Sequence, residues 1–168
     1  MMYRRRRARA GIAPALIALA ACAAPADEDR YTAVADMPEL MAHVLEPNAQ
    51  VYWRAVGWVI DAEGEQELRP ETEEEWLAVE NAAFVVAEAG NLLMMDGRAL
   101  DDGPWMTMSQ ALIDIGRRAV QVAEERDEQA VFDVGAEMYF VCTQCHATYA
   151  LETLRPSDER VQAAGEGA

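Results

Sequence analysis

The chain has 168 residues, with 14 basic and 30 acidic side chains, three cysteines, two histidines and no lysine. One ordinary domain fits this length, and 52% hydrophobic residues are enough for a packed core, which excludes a disordered chain. A net charge of −16 argues against nucleic acid as a partner, because phosphate backbones need a basic face. No apolar run reaches the roughly 18 residues of a bilayer span.

The first residues read as a secretory signal, residues 1–21. Arg4, Arg5, Arg6, Arg7 and Arg9 form a positive region, and Gly11 to Ala21 form a short apolar one. The arginine run lacks the surroundings of a twin-arginine signal, so the general export route is favoured. Leu19-Ala20-Ala21-Cys22 resembles the lipobox of bacterial lipoproteins, which implies a lipidated Cys22 as the new first residue. Ala23 after it, with no Asp, implies sorting to the outer membrane on the periplasmic or cell-exterior side. The alternative is cleavage after Ala24-Pro25-Ala26 and a soluble periplasmic protein. Residues 22–35 read as the anchor and a small, polar tether. Without the signal, nine basic and 30 acidic residues remain, a net charge of −21.

A helical-bundle domain is expected over residues 36–152, followed by a polar tail, 153–168. Asp36-Met37-Pro38 opens a first helix with proline in its first turn. Leu40, Met41, Val44 and Leu45 share a face, Pro47 kinks or restarts the helix, and apolar spacing carries it through Tyr52, Ala55, Val56 and Val59. Asp61 to Pro70 is polar, contains Gly64, and reads as a loop. Thr72-Glu73-Glu74-Glu75 is a capping-box pattern opening a second helix, with Trp76, Val79, Ala83, Val86, Gly90 and Leu93 at helical spacing. Two glycines and a proline break the pattern over Asp96 to Pro104. A third helix, Trp105 to Arg126, carries Met108, Leu112, Ile115, Ala119 and Val122. A fourth begins near Asp127 and carries Val131, Gly135, Met138, Cys142, Cys145 and Tyr149. No strand alternation is evident. The expected fold is all-α, an antiparallel up-down-up-down four-helix bundle.

Cys142-Thr143-Gln144-Cys145-His146 is the attachment signature of one covalent haem c. Two cysteines at this spacing can form thioethers to the two vinyl groups, and the adjacent His reaches the iron from the same side. At roughly 100° per residue the three side chains fall within an arc of about 100°, together with Met138 and Tyr149. The cofactor therefore belongs on the buried face. A redox dithiol would be expected to open a helix beside a sheet. A zinc site would need a fourth ligand, for which His43 is the one other histidine.

A late motif on the last of four helices resembles the cytochrome c prime family, the class II cytochromes. The resemblance covers about Asp36 to Leu151 and includes Tyr149, three positions after His146. Where the family often has Arg after that aromatic, this chain has Ala150. Leu40-Met41, Pro47, Trp53, Asn91-Leu92-Leu93-Met94 and Trp105 look like a divergent branch. The resemblance implies that the first helix lines the iron's sixth position. Members with Met there carry electrons, and members with an apolar residue leave five-coordinate iron that binds nitric oxide or carbon monoxide.

Bundle topology places Met37, Met41, Met94, Met95, Met106 and Met108 at the haem end. Most of these are core filling. Met41 is the leading sixth ligand, one turn inside the first helix, with Leu40 as the noncoordinating alternative. His43 lies roughly 200° from Met41 and is expected to be exposed. Arg98, in the loop at that end, is a candidate partner for a haem propionate. Trp53, Trp76 and Trp105 read as core or rim. No nucleophile–base constellation or phosphate loop is visible, so no catalytic residue is assigned and the chain is read as a non-enzyme. Three roles remain: a one-electron carrier, a five-coordinate gas-binding protein, and a haem-bearing accessory subunit of a membrane redox complex. The acidic charge implies a redox partner with a basic docking face. It also opposes, at low salt, the homodimer that the family often forms.

Overall fold

The computed structural model describes residues 31–151. The signal sequence, Cys22, most of the tether and the polar tail lie outside the described residues. The described part is mostly helical, four helical segments and one small hairpin around a single core. Among the described residues no helix is long and apolar enough to cross a membrane.

The first segment is built in three pieces. Helix α1 (Met37–Leu40) starts at Asp36, whose carboxylate accepts from the Glu39 amide at 2.8 Å while Glu39 accepts from the Asp36 amide at 3.1 Å. A π turn (Met41–Leu45) follows, then α2 (Glu46–Trp53). The break has a local cause. Pro47 has no N–H for the His43 carbonyl and its ring crowds that carbonyl. The chain takes a wider turn in which the Glu46 amide reaches back to the Met41 carbonyl. The Asn48 side-chain amide then covers the Val44 carbonyl at 2.7 Å.

The segment stops at Trp53, short of the expected Val59, and the expected loop is a β-hairpin. Strand β1 (Gly57–Asp61) pairs antiparallel with β2 (Gly64–Leu68), in the register Trp58 with Glu67 and Ile60 with Glu65. Aromatic and β-branched residues at 58–60 prefer a strand. The Asp61 carboxylate closes the turn by accepting the amides of Glu63 and Gly64 at 3.0 and 3.1 Å. Gly64 sits at φ +136°, where a side chain would be strained. The described part is thus a mostly helical bundle, compatible with the expected all-α class, that also carries one two-stranded hairpin where a loop was expected.

Helix α3 (Glu73–Leu93) begins with the Thr72–Glu75 capping box, as the sequence pattern indicates. Helix α4 (Pro104–Glu124) has proline in its first turn, and α5 (Glu128–Tyr149) is capped by Asp127 on the Ala130 amide at 3.0 Å. Helices α3 and α4 pack antiparallel at very close range. A Cβ on Gly116 would stand 2.7 Å from the backbone of Ala87, and one on Gly90 would stand 2.8 Å from the Ser109 carbonyl. Val79, Val86, Leu93, Leu112, Ile115 and Val131 are buried along the seam and core.

Candidate functional site

The first segment and α5 run antiparallel and are joined at Trp53 and Gly135. The Trp53 indole donates to the Gly135 carbonyl at 2.9 Å, and Tyr52 and Trp53 both lie against Gly135. Seven residues back from Trp53 is Glu46, and seven forward from Gly135 is Cys142. These two are near enough that the Glu46 charge helps raise the Cys142 thiol. Four residues further along each helix stand Ala42 and His146. Met41, Ala42 and His146 all line the cavity that lies beyond this point.

Between these walls lies a cavity of about 670 Å³, a size typical of cofactor sites. Helix α5 supplies Cys142, Cys145, His146 and Tyr149. The first segment supplies Met37, Met41, Leu45 and Trp53 opposite. Val86 and Leu93 of α3, with Met108 and Leu112 of α4, close the inner side. Among the described residues Glu46 is the only carboxylate on the wall, and no Arg lines it. Exposed Leu100 and Tyr139 lie at the mouth.

The site thus gathers four of the sequence candidates, Cys142, Cys145, His146 and Met41. Leu40 is not on the wall: it is turned into the core and is 2% exposed. His43 is exposed. Met94, Met95 and Met106 do not line the cavity. Arg98 is buried elsewhere. Its guanidinium donates to the Ala35 carbonyl at 3.1 Å and contacts the Met95 sulfur at 3.3 Å, so it ties the lead-in to the α3–α4 loop.

Asp101 is the residue at the site that the sequence did not signal. The Tyr149 hydroxyl donates to Asp101, whose carboxylate also accepts the amides of Gly103 and Trp105 at the start of α4. Tyr149 packs edge-on against Trp105, with ring centroids 5.0 Å apart, and the Trp105 indole donates to the Leu93 carbonyl at 2.8 Å. The last turn of α5 is therefore clasped to the α3–α4 loop. The hydrogen bond holds the Asp101 carboxyl below its ordinary range and pushes the Tyr149 phenol up to about 12.

The two thiols lie three residues apart on one wall and are half-buried. Burial pushes Cys142 up to about 11, helped by the charges of Cys145 and Glu46, and raises Cys145 as well. A dithiol used for disulfide exchange needs a lowered thiol pKa, so the environment runs against that reading. Among the described residues no group of three His, Cys, Asp or Glu side chains is arranged as a cage for a metal ion. A wide apolar cavity with two thiols and an imidazole on one wall and a thioether on the other fits a haem c. Comparison with known proteins leaves this reading on its own footing: no family model, no curated protein and no solved structure matches the chain.

Proposed function

We propose that the protein is an exported c-type haem protein that carries one electron at a time, held to a membrane by a lipidated Cys22. The observation that supports the reading is the cavity, lined by Cys142, Cys145 and His146 of α5 and by Met41 of the first segment. Bound haem supplies an iron that alternates between ferric and ferrous states.

The chain's own residues supply the rest. Cys142 and Cys145 would hold the haem through two thioether links, the sulfur and hydrogen of each thiol adding across one vinyl group without an oxidant or reductant. His146 offers its imidazole from the same wall. Met41 offers a thioether from the other wall, a ligand that favours a higher potential and a filled coordination sphere. Val86, Leu93 and Leu112 exclude water from the inner side, and the Tyr149–Asp101 clasp holds the turn that bears His146.

Two measurements test the reading. Protein exported from a host with haem-attachment machinery gains the mass of one haem, with the pyridine spectrum of two thioether links. Its ferric form shows a sulfur-to-iron band in the far red that is lost in Met41→Ala. A high-spin ferric spectrum in the unmutated protein, with carbon monoxide binding once reduced, would overturn the electron-carrier role and assign gas binding instead. The anchor is read separately by fractionation: Cys22→Ala becomes soluble, and equal solubility of both forms refutes lipidation.

A further inference from the structure

One side of the molecule exposes a row of large apolar side chains that the proposed function does not use. On α5, Phe132, Ala136 and Tyr139 recur at helical spacing on one face, with Phe140 beside them. Phe132, Tyr139 and Phe140 are 48, 59 and 62% exposed. The row continues onto the hairpin, where Trp58 and Ile60 are 58 and 77% exposed. Trp58 packs edge-on against Phe132, with centroids 6.5 Å apart, and Trp53 does the same against Tyr139 at 5.7 Å. The two elements thus present one preformed face. Five such side chains expose on the order of 500 Å² of apolar surface, as much as the largest patch on a typical monomer, and patches of that kind mark binding sites.

The charges around the row say what can cover it. Residues 57–68 contain Asp61, Glu63, Glu65 and Glu67 and no basic residue. The strand register puts Glu67 beside Trp58 and Glu65 beside Ile60, on the same side of the hairpin. Asp133 adds a further exposed carboxylate on α5. Among the described residues nearby arginines are few: Arg118 is paired with Glu137, and Arg69, just after β2, lies 4.0 Å from Glu71, which leaves Arg54 at the end of α2. A second copy of this chain would bring like charges together. An anionic membrane surface would do the same.

We propose that this face docks a protein partner whose surface is lysine- or arginine-rich around an apolar centre. Apolar contact supplies the hold and the carboxylates supply orientation and speed of encounter. The size fits a transient complex, at the small end of specific interfaces. Tyr139 belongs both to this face and to the mouth of the cavity, so the partner sits beside the site. Calling that partner a redox protein rests on the proposed electron-carrier role, whereas the face itself does not.

The test uses full-length protein as purified and a fluorescent synthetic peptide with leucines on one helical face and lysines on the other. Binding is read by anisotropy of the label, so failure of haem ligation leaves this readout standing. Trp58→Ser with Ile60→Ser weakens binding about tenfold, and Glu65→Gln with Glu67→Gln does likewise and flattens the salt dependence. Phe84→Ser, an exposed apolar residue on α3, changes nothing. All these side chains are exposed, and unchanged helical circular dichroism confirms folding. Equal affinity of the hairpin variants and the parent overturns the proposal. So does equal affinity for an all-lysine peptide, which would mean charge alone. Trp58-dependent binding to phosphatidylcholine vesicles in place of the peptide, or a Trp58-dependent dimer in sedimentation, reassigns the face and also overturns it.

Discussion

The α3–α4 seam and the gap between the first segment and α5 are built on opposite principles. At the seam, glycine and alanine bring two backbones so close that a single added carbon would collide with the Ala87 main chain. Across the gap, the walls touch where Tyr52 and Trp53 meet Gly135 and Tyr139, and a cavity lies beyond. One pair of helices is in near-backbone contact, and the other encloses a cavity. A bundle can afford an unfilled side only when the remaining side is close-packed.

The largest expected effect lies on the open side. Cys142→Ala with Cys145→Ala removes covalent haem altogether, read as the loss of one haem from the protein mass. The same protein keeps most of its helical circular dichroism, because α3 and α4 pack without the cavity. Complete unfolding would mean that the seam is not self-sufficient. An apo form as cooperative in melting as the holo form would erase the contrast from the other direction.

Next come paired glycine substitutions. Gly116→Ala places its new carbon 2.7 Å from backbone that cannot yield, and should cost about 2–3 kcal/mol in denaturant unfolding. Gly135→Ala meets the edge of the Trp53 ring at 3.4 Å and the Tyr52 ring at 3.7 Å, near-ordinary contacts, and should cost less than about 1 kcal/mol beyond the small gain from better helix propensity. Equal costs would break the comparison. Trp53→Phe tests the point where the two walls meet. It removes the bond to the Gly135 carbonyl and should cost about 1 kcal/mol.

A smaller effect concerns the clasp at the far end of the gap. The Asp101 carboxyl is held low, so its contribution is present above the unfolded carboxylate pKa and lost as pH falls through the lower folded value. The Tyr149 phenol is raised, so its contribution is present below the ordinary phenol pKa and lost as pH rises towards about 12. Tyr149→Phe should therefore lower the melting temperature slightly at neutral pH and flatten its dependence at both extremes. An unchanged profile would show that the clasp contributes nothing. The smallest effect is kinetic: in haem-free protein at pH 8 the raised thiols should alkylate more slowly than a free cysteine peptide, and Cys142 more slowly than Cys145.

What could be read in advance was local. The Asp36 and Thr72 caps involve residues three apart, and the structure forms both. The buried stripe of α3 follows from a period of 3.6 residues, and so does the shared face of Cys142, Cys145 and His146. The hairpin was legible in part, through Gly57-Trp58-Val59-Ile60 followed by Asp61 and Gly64, but helical spacing through Val56 and Val59 masked it. A short apolar run satisfies both periods, and the turn chemistry at Asp61 decides between them.

Residue order alone determined the helical segments, the thiol–imidazole face and the acidic surface, because each depends on neighbours a few positions away or on composition. Only the tertiary structure decided which residues stand opposite that face. Met41 and Leu40 are adjacent in sequence, yet one lines the cavity and the other fills the core. Arg98 is drawn to the Ala35 carbonyl, and Asp101 to Tyr149 across 48 positions. Such pairings depend on how far apart two helix axes come to rest, and that distance is set by packing at the Gly116–Ala87 and Trp53–Gly135 contacts, far from the residues whose partners it selects.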